Sequence, residues 1–324
     1  MQLKPILWQW SLEGLAAIAT LLSLLSLLAP WHWLLGLLEH PRPQYCLALL
    51  PVLLWATLTR RWWRWLWGLP LILNVLLIGP SYWLPIAIPV IPTANSFTLV
   101  HLNLARENPT PEKAIAFLEQ TQADWLWLQE VTPEWLDRIR HDLPSYEVLI
   151  AEPRANSHGV ALLQTYSPRQ PLPSVQTEIR HFPEGSSRPM IVARLRWQQT
   201  PITFLGLHTT RPRNAQTAMF QQEEFAAVAD WLAAQPNAIA LGDFNATPWS
   251  LNFRRLLKTT GLVDSLVGWG WQNTWPASLP NGFSIPIDHC IHAPTLSVQD
   301  RRLGPTIGSD HLPLVVTLVF PSHN

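Results

Sequence analysis

The stretch "LGDFNAT" (Leu241 to Thr247) sets an acid and an amide two residues apart, directly after the apolar run Ala238-Ile239-Ala240. Alternate residues of an extended chain project to one side, so Asp243 and Asn245 can reach a common target while Phe244 packs the other way. The same pattern recurs. "FTLVHLN" ends at Asn103, "DWLWLQE" at Gln129 and Glu130, "ITFLGLH" at His208 and "IPIDH" at Asp288 and His289, while "GSDH" places Asp310 and His311 just before the final run "LPLVVTLVF". Taken singly, each has an ordinary explanation: Asp-x-Asn makes a good turn, Glu130 is placed to cap a helix, and a lone histidine is usually structural. Polar groups recurring at strand ends are instead what a shared site leaves in a sequence, because ligands gather at one edge of an open sheet.

Oxygen donors dominate this set: the carboxylates of Glu130, Asp243 and Asp310 and the amides of Asn103 and Asn245. Such hard donors suit Mg²⁺, or Mn²⁺ in its place, better than zinc. The chain has no G-x-x-x-x-G-K phosphate loop and no G-x-S-x-G nucleophile elbow. A hard cation with histidines beside it points to hydrolysis of a phosphate ester by water.

Elements of two kinds must position these residues. Strand-like runs are expected at 97–102, 124–128, 146–151, 159–164, 190–197, 202–207, 238–241, 285–291 and 312–320, and helices at 111–120, 133–141, 214–234 and 251–259. Pro111 and Pro133 suit a first helical turn, where a missing N–H costs nothing. This alternation predicts an α/β or α+β domain over residues 93–324. There is no internal repeat and no low-complexity tract.

Residues 1–92 read differently. "GLAAIATLLSLLSLLAPW" (Gly14 to Trp31) runs without a charge for close to the roughly 20 residues that cross a bilayer core as a helix. Further apolar segments follow at Pro43–Thr59 and Trp65–Ile88, the latter interrupted by prolines. A cleaved signal peptide is the alternative for the first segment, but no small-residue cleavage site follows Leu28 and two more apolar segments come after it. Of the nineteen tryptophans, ten precede Ile91, as expected where ring edges sit at lipid headgroups. The expectation is an integral, multi-pass anchor of about three transmembrane helices. Arg60, Arg61 and Arg64 between the second and third hold that loop in the cytoplasm and put the domain after Pro92 outside it. A re-entrant second segment would invert this topology.

The ordered set "LNLA" (102–105), "LQEV" (128–131), "GLHTT" (206–210), "GDFNATP" (242–248), "IDHC" (287–290) and "GSDHLP" (308–313) resembles the endonuclease/exonuclease/phosphatase superfamily of DNase I-like enzymes. The resemblance implies a four-layer α/β sandwich, two packed mixed β-sheets flanked by helices, with the site at one end. It implies Glu130 as the main metal carboxylate with Asn103 beside it and Asp310 completing the metal side. Asp243 and Asn245 would meet the attacking water and the phosphate. His311 would be the general base or a phosphate-stabilising group, held by Asp288, and His208 would bind the phosphate or act as an acid toward the leaving group. Ala105 stands where some relatives carry an Asp, which implies one tightly held Mg²⁺ rather than two. Tyr166 is a candidate support for the first histidine, and Arg188 and Arg211 are candidate phosphate clamps, for which planar guanidinium groups are suited.

Zero net charge over 22 basic and 22 acidic residues argues against a broadly basic nucleic-acid surface. Two cysteines give no disulfide framework and no zinc cluster. The expected partners are therefore a lipid bilayer and a phosphate-ester substrate, lipid-linked or nucleic acid, and no protein partner is predicted. A membrane-displayed binding domain of the same fold, without activity, is the competing reading; the complete polar set speaks against it.

Overall fold

The computed structural model describes residues 4–82, 95–166 and 172–320. In its amino-terminal part α1 (Lys4–Leu25), a short α2 (Trp33–Leu37), α3 (Arg42–Leu58) and α4 (Trp65–Tyr82) follow one another. Then come β1 (Ser96–Asn103), α5 (Pro111–Thr121), β2 (Trp125–Gln129), α6 (Pro133–Asp142), β3 (Tyr146–Glu152), β4 (Val160–Thr165) and β5 (Gln176–Arg180). The chain continues through β6 (Met190–Trp197), β7 (Thr200–His208), α7 (Ala215–Ala233), β8 (Ala238–Asp243) and α8 (Leu251–Thr260). It closes with β9 (Val263–Asp264), β10 (Asp288–His292), β11 (Ser297–Leu303) and β12 (Leu314–Val319).

Local chemistry sets the helix ends. Pro111 and Pro133 open α5 and α6, and the Thr132 hydroxyl accepts from Trp135 N at 3.2 Å. Asn214 and Thr217 form a reciprocal cap on α7, and α8 stops at Gly261 in a left-handed conformation (φ 68°).

The strands form two six-stranded sheets, ordered β11-β12-β1-β2-β4-β3 and β5-β6-β7-β8-β10-β9. Each contains one parallel pair, β1 with β2 and β7 with β8, and in each case a helix, α5 or α7, makes the crossover. Between the sheets lies an apolar core that includes Phe97, Trp125, Trp127, Phe204, Leu241 and Val316. Helices α5 and α6 cover the outer face of the first sheet, while α7 and α8 cover the second. This is the four-layer sandwich that the motifs imply. Parallel pairing aligns the strand ends: Asn103 lies opposite Gln129, and His208 opposite Asp243. Antiparallel β10 begins there, with Asp288 opposite Asp243, and the segment before β12 returns to the same end.

Three strands escape the hydrophobic pattern. β5 ("QTEIR") is a polar edge strand, β9 has two residues, and β11 ("SVQDRRL") carries three charges. In β11, Arg301 is buried because its guanidinium donates to Ser265 Oγ at 3.2 Å and to Gln272 Oε1. The expected strand at 285–291 begins only at Asp288, Ile285 making an isolated bridge with Trp275, and the last strand begins at Leu314.

Helices α1, α3 and α4 pack side by side around Ala16, Ala19, Tyr45, Leu49 and Val52. Inside them Arg42 Nη1 donates to Asn74 Oδ1 (3.2 Å), and Asn74 Nδ2 donates to Ser23 Oγ (2.8 Å). Leucines and tryptophans such as Leu15, Leu21, Leu54, Trp65 and Leu69 face outward. Among the described residues one helical stretch, Trp10–Leu28, is long and apolar enough to cross a membrane, and Trp65–Gly79 is apolar but shorter. The rest of the expected third segment, beyond Tyr82, lies outside the described residues.

Where the helices meet the sandwich, the Trp249 indole N–H donates to Glu39 O (2.8 Å), and Leu251 N donates to the Glu39 carboxylate (3.0 Å). Tyr82 donates from its hydroxyl to Asn273 Oδ1 (2.8 Å) and stacks on Trp271 with the rings 8° from parallel. The carboxyl ends of α1 and α4 and the amino end of α3 thus share one side with the sandwich.

Candidate active site

Asp288, wholly buried at the start of β10, uses both carboxylate oxygens: His101 Nε2 donates to Oδ1 and His311 Nδ1 donates to Oδ2, each at 2.8 Å. Fixing Nδ1 turns His311 Nε2 toward Asp243, 3.7 Å from its Oδ2, and His208 Nε2 reaches the same oxygen from the other side at 3.4 Å. Asp243, Asp288 and His311 bring potential ligand atoms within 4.8 Å of one another. Asn245 closes the row: its backbone N–H donates to Asp243 Oδ1 (2.8 Å) and its amide nitrogen to Thr209 O (3.0 Å), and its Oδ1 has no hydrogen-bond partner among the described residues.

Glu130, half-buried after β2, sits across a cavity of about 800 Å³ that Asp243, Asn245, His208, Asp310 and His311 also line. Asn103 Nδ2 and Arg106 N donate to the Glu130 carboxylate at 3.3 and 3.2 Å. Asp310 is exposed, and its Oδ2 accepts from the Trp275 indole at 3.0 Å. Glu130 (φ 58°), Asn245 (φ 46°) and Ala105 (φ 55°) all adopt left-handed backbone, a conformation costly for residues other than Gly and common where a site dictates geometry.

The two sheets are tied together at this end by Gln129. Its Oε1 accepts from Asp243 N (3.2 Å) and its Nε2 donates to Leu207 O. Gly242, at φ 150°, lies so close that a Cβ there would come within 1.8 Å of Leu207 O.

Burial and charge set the protonation states. For Asp288, burial opposes ionisation, but His311 and His101 outweigh it and hold the carboxyl well below the usual range. Burial likewise opposes charge on His311, yet Asp288 and Asp243 push its pKa up to about 10. Asp243 rises to about 7 through burial, with Asp288 and Glu130 adding like-charge repulsion against the pull of His311. His208 stays neutral, its pKa lowered by burial and then by Arg188 and His311.

The donor types suit a hard divalent cation: Glu130, Asp243 and Asp310 line one cavity and offer carboxylate oxygens to it. Among the described residues the three groups whose ligand atoms lie close together are Asp243, Asp288 and His311, and both Asp288 oxygens are already engaged by histidines.

Most expected site residues therefore converge. Arg188 and Arg211 also line the cavity; Arg188 approaches Glu224 (3.8 Å) and Arg211 lies 4.7 Å over the Trp275 ring. Tyr166 does not converge. β4 runs antiparallel to β2, so Val160 rather than Thr165 lies beside Gln129, and Tyr166 follows the far end of the strand, 64% exposed. His289 is structural: it faces Asp264 and Ala246 O at 3.1 and 3.0 Å. Sequence reasoning missed His101, His158, Arg213 and, from the helical part, Leu37 and His40. Only His101 carried a signal, two residues before Asn103 on the same face of β1.

A two-sheet sandwich with a carboxylate and histidine cluster at the paired strand ends defines a phosphoesterase class. Residues 95–311 match the Endonuclease/Exonuclease/phosphatase family, and the chain belongs to it. Among solved structures, a humanized D. rerio TDP2 aligns at TM-score 0.54 and 14% identity, over 69% of this chain and 99% of that one. An endonuclease/exonuclease/phosphatase family protein from Bacteroides thetaiotaomicron aligns at 0.53 and 18%, over 72% and 100%. A mannosyl-6-phosphatase from the same organism aligns at 0.52 and 18%, over 69% and 100%. These likenesses are in fold. No curated protein sequence matches the chain.

Proposed function

We propose that the protein is a membrane-anchored, divalent-metal-dependent phosphoesterase that hydrolyses a phosphate ester by attack of water. The carrying observation is the convergence of Glu130, Asp243 and Asp310 with His208 and His311 on one cavity. Glu130 and Asp310, with Asn103 beside them, would hold Mg²⁺ or Mn²⁺, which when bound supplies Lewis-acid neutralisation of phosphoryl charge. Asp243, whose hold on a proton is strengthened by burial and neighbouring carboxylates, is placed on the cavity to take the proton of the attacking water. His311, kept protonated by Asp288, stabilises charge on the phosphoryl oxygens. Neutral His208 donates an N–H to the same group, which favours phosphate binding over acid catalysis for that residue. Asn245, Arg188 and Arg211 supply further donors.

The membrane reading is multi-pass, with residues 1–92 as anchor and the catalytic part, 93–324, outside the cytoplasm. Outward-facing leucines on all three long helices support it, as does the placement of Arg60 and Arg61 at the end of the bundle away from the sandwich. A cavity beside the helix ends favours a lipid-linked phosphate over nucleic acid. D. rerio TDP2 has been crystallised with a single-strand DNA product, so DNA belongs in the test.

Detergent-solubilised full-length protein should hydrolyse bis-p-nitrophenyl phosphate with Mg²⁺ or Mn²⁺ and stop with a chelator. A folded protein with no turnover under any divalent cation would instead support the binding-domain reading. Phospholipids, polyprenyl phosphates, inositol phosphates and single-stranded DNA then decide the substrate, DNA alone being turned over counting against the lipid assignment.

A further inference from the structure

The connector between α1 and α3 reaches the catalytic cavity. Leu37 and His40 line it together with Asn245, Asp310 and Arg211. His40 Nδ1 lies 3.1 Å from Thr247 Oγ1, two residues beyond Asn245. Thr247 is fully buried, and its hydroxyl has no other hydrogen-bond partner among the described residues. If Nδ1 carried the proton, the threonine hydroxyl hydrogen would be left buried without an acceptor. With the hydroxyl donating to Nδ1 instead, both groups are satisfied, and the imidazole proton is placed on Nε2.

Nε2 has no partner among the described residues, whereas His289, which links two parts of the sandwich, uses both nitrogens. Nor is His40 needed for docking. Trp249 binds the Glu39 and His40 carbonyls, the Glu39 carboxylate takes Leu251 N, and Gln44 Nε2 donates to the Gly282 and Ser284 carbonyls at 3.0 and 3.2 Å. Burial and the neighbouring Arg42 keep the ring neutral, its pKa lowered to about 4, so it acts as a hydrogen-bond donor without changing charge.

We propose that His40 is a substrate-contacting residue, its Nε2–H donating to a phosphate oxygen of the bound ester, with Thr247 as the residue that positions it. The active site is then assembled from both parts of the chain: the sandwich supplies the reacting groups, and the helical part supplies one wall and one phosphate donor. This rests on the phosphoesterase reading above.

The test compares full-length variants in one detergent with bis-p-nitrophenyl phosphate and Mn²⁺. His40→Ala should raise KM roughly tenfold or more while kcat changes less, as for loss of a hydrogen bond to a charged group. His40→Gln, whose amide N–H₂ can reach the Nε2 position, should recover much of that loss. Thr247→Val should share the effect and Thr247→Ser restore it, and His40→Ala with Thr247→Val should cost no more than His40→Ala alone. Should His40→Ala fail to fold, the His40→Gln and Thr247 pairs decide. KM within twofold of wild type in folded His40→Ala, or, should that variant not fold, in Thr247→Val, overturns the proposal. Wild type inactive with every cation points instead to failure of the phosphoesterase reading, so the two failures are separable.

Discussion

Asp288 orients His311 and His101 from behind the cavity wall. On the proposed mechanism, Asp243→Asn or His311→Ala should lower kcat by about three orders of magnitude or more, measured with bis-p-nitrophenyl phosphate. His101→Leu is a subtler change. It leaves Asp288 Oδ1 buried without its donor, and should cost on the order of 1–3 kcal/mol of stability, read by urea unfolding, with kcat reduced and KM held. Glu224 carries a pH dependence of its own. This wholly buried side chain accepts from Thr210 N and Oγ1, yet burial raises its pKa from 4.5 to about 7 against the pull of Thr210 and Arg188. The native state therefore holds this proton more tightly than the unfolded chain. Its contribution to stability is complete below pH 4.5 and is lost as pH rises to about 7, a change on the order of 3 kcal/mol. Glu224→Gln should flatten that slope in unfolding measured across this range, and an unchanged slope would assign it to other groups.

At the scale of elements, close backbone approach makes glycines decisive. A Cβ at Gly206 would come within 2.3 Å of the Trp127 ring, and one at Gly242 would strike Leu207 O, so Gly206→Ala and Gly242→Ala should each lower Tm by several degrees. Gly242→Ala should also cut kcat, because it disturbs the backbone beneath Asp243. Elements also explain what the sequence disclosed. Strands that end at the site are buried on both faces and read as apolar runs, so Asn103, Glu130, His208, Asp243 and Asp288 stood out at their ends. β5 and β11 lie on sheet edges, where solvent and paired charges replace the hydrophobic pattern. Tyr166 was misplaced because strand direction cannot be read from composition: "VALLQT" looks alike whichever end meets the cavity. The Gln129 bridge, the His101 contact and the His40 wall join residues 114, 187 and 207 positions apart, and no local spacing reports them.

For the whole molecule, the apolar cluster of Ile78, Tyr82, Trp249 and Leu266 spans the helical part and the sandwich. A protein beginning at residue 95 would expose Trp249 and Leu266 and lose the Glu39 and Tyr82 hydrogen bonds. It should unfold at a lower temperature than the full chain in detergent and bind a hydrophobic dye more strongly. Equal melting temperatures would mean that the two parts are independent. A reporter enzyme that works only in the cytoplasm, fused after Asn324, should be silent; activity would invert the topology.

The anchoring of the connector by Trp249 has a kinetic consequence. With the membrane anchoring proposed above, the cavity would meet a membrane-borne ester by lateral diffusion, and its concentration variable would be mole fraction in the plane rather than molarity in the bulk. Diluting such an ester with inert lipid, at fixed total ester, should slow turnover, while a soluble ester such as bis-p-nitrophenyl phosphate would be indifferent to the lipid added.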